Sequence, residues 1–363
     1  MTEDAREGGE KIPCANPLYR VLLPASVTGT GTQWRTITAN QFLIYKAYAL
    51  DSFSVPCGNC QACRIAIAKE WTGRIMMECS EHPNNWFLTL TYDDSHVPIK
   101  RGLCLETGEY LEELSLNKPD VQKFLKRLRK RWKTHYGEEN IRFYCAGEYG
   151  DDTDRPHYHI CLFNLDIKDL EEYPTKNALG QQYYISKEIE EVWGMGNVRI
   201  GELTSMSAGY TARYVMKKWK GKKGAEEWAA NHIKEREFAL MSRKPGIGSE
   251  YFERNKEKML RDGFIMVPAL EGAYRATTPK SYVYRCRNPG LTAKDPKMRV
   301  SEEEDQHNRA LGRALREKNE RAMMATINQK VKQNSLDYES INSMENEILE
   351  QKLLALRQKG MTE

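Results

Sequence analysis

The chain has no stretch suited to crossing a membrane. Its longest run free of charged residues, Val21 to Trp34, is interrupted by Pro24, Gly29 and Gly31 and falls short of the roughly 18 apolar residues that a spanning helix needs. The opening residues Met1-Thr-Glu-Asp-Ala-Arg-Glu7 lack the basic and apolar regions of a secretion signal, which predicts a chain that stays in a reducing cytoplasm. A large excess of one charge is also missing: 55 Lys+Arg against 51 Asp+Glu leave a formal charge of +4, too little to argue for a polyanionic partner from net charge alone. Gly221-Lys222 has neither the upstream glycine nor the following hydroxyl of a phosphate-binding loop, so no helicase motor is recognisable. Serine-hydrolase and dinucleotide motifs and internal repeats are absent too.

What is present is enough apolar surface for a core, with 40% hydrophobic residues in 363, the size of two domains or of one domain with extensions. Residues Arg64 to Cys79 repeat apolar positions at helical spacing. Trp86-Phe-Leu-Thr-Leu-Thr-Tyr92 reads as a strand, and a long loop with Gly102 and Gly108 is expected after it. Asn117 is placed to cap a helix whose stripe is Val121, Phe124, Leu125, Leu128 and Trp132, and Lys126, Arg127 and Lys130 lie on its basic face. Two strands, 141–148 and 157–163, are joined by a Gly/Asp-rich turn and should pair antiparallel. After a polar insertion around 174–184 come a helix at 186–192, a strand at 196–203 and a helix at about 207–220. The order β-α-β-β-α-β-α predicts an α+β fold, an antiparallel sheet of split β-α-β (ferredoxin- or RRM-like) type with its helices on one face. The expected boundaries are an N-terminal cysteine-containing extension at 1–80, the core at 81–225, a packed extension made largely of loops at 226–300 and a polar helical tail at 301–363.

His157 and His159 flank Tyr158 in a strand, so both imidazoles share a face at a spacing one cation can bridge. Glu148, ending the preceding strand, can complete a two-histidine, one-carboxylate set with open positions suited to Mg²⁺ or Mn²⁺. The alternatives are surface histidines and a Glu148 paired with Arg142 or Arg155. Tyr210 and Tyr214 are four apart on a predicted helix, with Lys217 and Lys218 just beyond. Arg213, Trp219, Lys220, Lys222 and Lys223 continue a basic segment with an interleaved aromatic, as a single-stranded nucleic-acid track would require; simple packing and a solvated helix end are the alternatives.

Nine cysteines, an odd number, in a chain without an export signal argue against a disulfide framework. Cys57-x₂-Cys60-x₂-Cys63, with Cys14 as a fourth thiol, can hold a structural Zn²⁺; iron–sulfur ligation and unligated thiols stay open.

These residues resemble a known family. The strand 86–92, Gly147-Glu-Tyr-Gly150 with Arg155-Pro-His-Tyr-His159, and Tyr210-x₃-Tyr214 with Lys217-Lys218 are similar to the three motifs of His-hydrophobic-His rolling-circle replication endonucleases. More closely, the chain resembles the replication-initiation proteins of microviruses, especially gokushoviruses. Cys57 to Cys63, Trp193-Gly-Met-Gly-Asn-Val-Arg199 and Ser242-Arg-Lys-Pro-Gly-Ile-Gly248 look like further signatures. The resemblance covers about residues 14–255 and implies a site-specific single-stranded DNA transesterase acting in the cytoplasm of a bacterial host. In it His157, His159 and Glu148 hold Mg²⁺ or Mn²⁺, and Tyr210 or Tyr214 forms a 5′-phosphotyrosine that frees a 3′-hydroxyl. Its expected partners are the phage origin as single-stranded DNA and the host helicase and polymerase. The competing classes are a non-catalytic RRM-like nucleic-acid-binding module, which leaves the triad unexplained, and a plasmid-mobilisation or transposition nuclease of the same superfamily, which the order of histidines before tyrosines disfavours.

Overall fold

The computed structural model describes residues 14–137, 140–176, 180–214, 226, 228–270 and 272–287. Two compact units divide between Ile67 and Ala68, rather than near residue 80, and the dividing point falls inside a helix. None of the described helices is long and apolar enough to cross a membrane.

In the first unit, strands β1 (Leu18–Leu23), β2 (Gln33–Ile37) and β3 (Asp51–Val55) make an antiparallel sheet in the order β2-β1-β3. Helix α1 (Ala25–Thr28) lies between the first two strands, and α2 (Ala39–Tyr45) follows the second. Thr38 starts α2 with a reciprocal capping box to Gln41, which satisfies two otherwise orphaned groups. Only Val21, Leu23 and Ile37 form its buried cluster. Helix α3 (Gln61–Cys79) begins here.

The second unit holds β4 (Asn85–Thr91), β5 (Ile99–Leu103), β6 (Tyr110–Leu114), α4 (Lys118–Tyr136), β7 (Arg142–Tyr149) and β8 (Pro156–Phe163). Then come β9 (Glu171–Lys176), β10 (Gln182–Ile185), α5 (Lys187–Trp193), β11 (Val198–Glu202), α6 (Ser205–Tyr214), β12 (Phe238–Met241), α7 (Ser249–Asp262), β13 (Phe264–Ala269), β14 (Gly272–Thr277) and α8 (Lys280–Arg287). The main sheet runs β12-β7-β8-β4-β11-β10-β9, antiparallel throughout. Its inner four strands, β7-β8-β4-β11, have the order and direction of two interleaved split β-α-β units, as the sequence pattern predicts.

Three expectations change. Helices cover both faces of the sheet: Leu88, Leu90, Tyr158, Ile160 and Leu162 pack with α4 and α5, while Tyr144, Cys161 and Phe163 pack with α3, α6 and α7. A sheet this wide and central, apolar on both faces, must be covered twice. The glycine-containing loop is a hairpin, β5 against β6, and the polar insertion supplies the outer strands β9 and β10; both are polar because one side of each faces water. Beyond residue 226 regular structure replaces the expected loops, since β12 extends the main sheet along β7 and α7, the β13-β14 hairpin and α8 follow. The polar tail from Ser301 lies outside the described residues.

Two of the glycine-rich signatures are explained by packing. Gly194 ends α5 in the left-handed conformation, and Gly196, at φ 142°, presses on β4 so closely that a Cβ would lie 2.3 Å from the Thr91 carbonyl oxygen. Trp193 Nε1 donates to that same carbonyl at 2.9 Å. Gly196→Ala is expected to cost about 3 kcal/mol or more, read as a fall in the midpoint of denaturant unfolding. In the second signature, Gly248 at φ 74° would drive a Cβ to 2.8 Å from the Arg74 carbonyl, and its amide donates to Glu78 Oε2 at 2.7 Å.

Candidate active site

Strand parity builds the site. On β8 the odd residues His157 and His159 point to the face that packs under α6, while Tyr158 between them points into the core beneath α4. The Tyr158 hydroxyl sits 2.9 Å from that of Tyr92 and accepts from the Asn117 amide at 2.8 Å, at the start of α4. Asn117 does occupy the cap position of α4, yet its side chain donates to Asp120 Oδ2 rather than capping the backbone.

The β7-β8 register sets Glu148 opposite His157 and the small Ala146 opposite His159. Glu148 Oε1 lies 2.7 Å from His157 Nε2 and 2.9 Å from His159 Nε2. Neither alternative partner is used. Arg142 pairs with Glu78 on α3 and donates to the carbonyls of Pro245 and Gly246, and Arg155 reaches Asp94 and the Tyr92 carbonyl. Burial opposes the charge on Glu148, but the two imidazoles outweigh it and hold its carboxyl below the usual glutamate value.

The donor set fits a divalent cation. His157 Nδ1 donates to the Arg155 carbonyl at 3.1 Å; a carbonyl can only accept, so Nε2 is the nitrogen left to ligate. His159 Nδ1 shares a hydrogen bond with Thr89 Oγ1 at 3.1 Å. The second carboxylate oxygen, Glu148 Oε2, is buried with no hydrogen-bond partner, an orphan that a cation would satisfy. The three ligand atoms lie within 4.8 Å of one another.

Thr89 did not emerge from sequence reasoning, although it shares the outward parity of Thr91 between apolar Leu88 and Leu90. The β4-β8 register puts it directly beside His159. Thr89→Val keeps the shape and removes the hydroxyl, and is expected to weaken Mn²⁺ binding about 10- to 100-fold, measured by calorimetric titration.

The α6 helix brings Tyr210 to this centre. Its half-buried ring meets the His159 imidazole edge to face, with centroids 4.9 Å apart, while Phe87 stacks against the same imidazole at 5.4 Å. Tyr214 ends α6 one turn later, with the half-buried Arg213 before it. The Tyr214 side chain and Lys217, Lys218, Trp219, Lys220, Lys222 and Lys223 lie outside the described residues. The other basic group is remote: α4 covers the opposite face of the sheet, so Lys126, Arg127 and Lys130 sit across the sheet from the histidines. Arg127 also donates to the carbonyls of Val192 and Trp193 at 2.9 and 3.0 Å, capping the end of α5.

Cys14, Cys57, Cys60 and Cys63 converge into a second group of ligand atoms within 4.8 Å, without forming a disulfide. Cys145 and Cys161 are buried in β7 and β8 as small apolar residues.

Comparison with known proteins agrees with this geometry. A family model for replication-associated proteins of the ORF2 type matches residues 85–219, a span that holds Glu148, both histidines and both tyrosines. The chain is 35% identical over 233 residues to the replication-associated protein ORF2 of Spiroplasma virus 4, covering 63% of this chain and 66% of that one. It is 33% identical over 223 residues to the replication-associated protein VP4 of Bdellovibrio phage phiMH2K (60% and 64%), and 34% identical over 173 residues to the replication-associated protein ORF4 of Chlamydia phage 1 (46% and 39%). The matches therefore span just under two thirds, or less, of these relatives' lengths. No solved structure matches the chain with significance.

Proposed function

We propose that this chain, which belongs to the replication-associated protein family matched by its residues 85–219, initiates replication of a single-stranded DNA phage by nicking and rejoining its origin. The observation that carries the reading is the convergence of His157 and His159 Nε2 on one oxygen of buried Glu148, with Tyr210 packed against His159. Glu148, His157 and His159 would hold Mg²⁺ or Mn²⁺, which when bound neutralises phosphate charge and makes phosphorus more electrophilic. The Arg155 carbonyl and the Thr89 hydroxyl keep the two imidazoles turned with Nε2 inward.

Tyr210 is the nucleophile nearest the histidines. A phenol of ordinary pKa about 10 gives up its proton to solvent as its oxygen forms a bond to phosphorus. The bond from phosphorus to the 3′ oxygen breaks, and that oxygen takes up a proton as a free 3′-hydroxyl. One phosphodiester is exchanged for one phosphotyrosine, so the reverse reaction rejoins the strand without an outside energy source. Tyr214, a helical turn away, is the second nucleophile for the regenerated origin. Lys217 and Lys218 supply positive charge for the phosphate and phenolate, and Arg213 with the basic segment after it tracks the strand backbone. Unwinding and extension from the 3′-hydroxyl fall to the host helicase and polymerase.

Denaturing gels with labelled single-stranded origin DNA and Mn²⁺ test this. The wild type is expected to form a covalent adduct that survives in at least one of Tyr210→Phe and Tyr214→Phe and vanishes in the double variant. Tight binding of origin DNA with no adduct in either Mg²⁺ or Mn²⁺ would replace the enzyme with a binding module.

A further inference from the structure

The cysteine cluster lies outside the span matched by the family model and takes no part in the nicking chemistry. Its four ligands come from three places in the first unit: Cys14 before β1, Cys57 and Cys60 after β3, and Cys63 in the first turn of α3. The Cys14 and Cys60 sulfurs are 3.8 Å apart and those of Cys57 and Cys63 4.0 Å. These are non-bonded spacings, about twice a disulfide bond. Four thiolates placed tetrahedrally at about 2.3 Å from one zinc ion are separated by about 3.8 Å. An iron–sulfur cube would put each cysteine on its own iron and spread the sulfurs beyond the 4.8 Å within which all four lie.

The backbone around the sulfurs is arranged for negative charge. The Cys57 amide donates to Cys14 Sγ at 3.2 Å, and the amides of Asn59 and Cys60 donate to Cys57 Sγ at 3.4 and 3.3 Å. Such N–H donors offset the charge that several thiolates bring to one dication. The turn that aims them passes through Gly58 at φ 79°, a conformation glycine adopts freely.

The surrounding unit also lacks another means of holding together. Its buried cluster is only Val21, Leu23 and Ile37, and cores this small are normally stapled by a metal or by disulfides; the cysteines form none. We propose that Cys14, Cys57, Cys60 and Cys63 bind one structural zinc ion that fixes the N-terminal unit. All four coordination positions are protein sulfur, so the ion holds the fold and takes no substrate. The inference stands independently of the proposed nicking activity.

The test uses the full-length chain carrying Glu148→Gln, which disables the other divalent site. Elemental analysis is expected to find one zinc per chain, retained on gel filtration, and X-ray absorption to find four sulfur neighbours at about 2.3 Å. Cys14→Ser and Cys60→Ser should each lose the zinc and open the first unit to proteolysis while the β4–α6 region stays protected. Should those variants prove insoluble, cobalt exchanged into the parent chain decides the matter. Intense thiolate-to-cobalt charge transfer with tetrahedral visible bands supports the site. Metal-free protein with four titratable thiols, iron with inorganic sulfide, or fewer than four sulfur neighbours would overturn it.

Discussion

Glu148→Gln is expected to reduce the Mn²⁺-dependent adduct at least about 100-fold, the upper end of what loss of even an outer-sphere partner costs a metal site. The amide preserves the side-chain volume at a position 2% exposed and removes the charge on which both imidazoles converge. The variant should therefore fold, bind single-stranded DNA and fail in chemistry. A calorimetric Mn²⁺ titration run beside the gel assay separates the causes. Loss of both metal binding and adduct places the defect at the cation. Unchanged Mn²⁺ affinity with loss of adduct would mean that Glu148 is not a ligand.

The largest effect on stability is expected at Glu78→Gln. Glu78 and Arg142 form an ion pair whose side chains are 4% and 6% exposed, and the same carboxylate receives the Gly248 amide. Removing one charge leaves the Arg142 guanidinium buried without its counter-charge, which typically costs about 3–5 kcal/mol, about half the stability of an ordinary domain. Replacing both residues together, as Glu78→Met with Arg142→Leu, should recover part of that loss, because no lone charge is left behind. The pH dependence has a definite sign. Burial works against ionised Glu78, but hydrogen bonds from His82, Arg142 and the Gly248 amide outweigh it and lower its carboxyl below the usual value. Its contribution is complete above the ordinary glutamate range and disappears as the pH falls through the lowered value. Denaturant midpoints measured from neutral to acid pH should therefore converge for wild type and Glu78→Gln.

Much of the core was legible because its elements are long and strongly patterned. The stripe of α4 and the alternation in β7 and β8 place the histidines, Glu148 and the α4 core residues where the structure has them. Thr89 was not legible, since its role exists only through the β4-β8 register, and register is a pairing between distant segments. Glu78 was hidden similarly: nothing local in α3 distinguishes a glutamate that meets Arg142 from one facing water. The strands β5, β6, β9 and β10 escaped because short polar edge segments carry little periodic signal. For the first unit, the spacing of three cysteines was visible, but the arrival of Cys14 from the far side of a three-stranded sheet depends on tertiary structure.

The two-sided cover of the main sheet has one more consequence. Lys126 and Lys130 are exposed on α4, more than a helix diameter of about 10 Å from Glu148 and the histidines, and so beyond the Debye length of about 8 Å at physiological ionic strength. Added salt can strip counter-charge interactions from that helix while hardly altering the field at the histidines. Ionic strength thus becomes a dial that separates retention of a polyanion from turnover of the strand already in place.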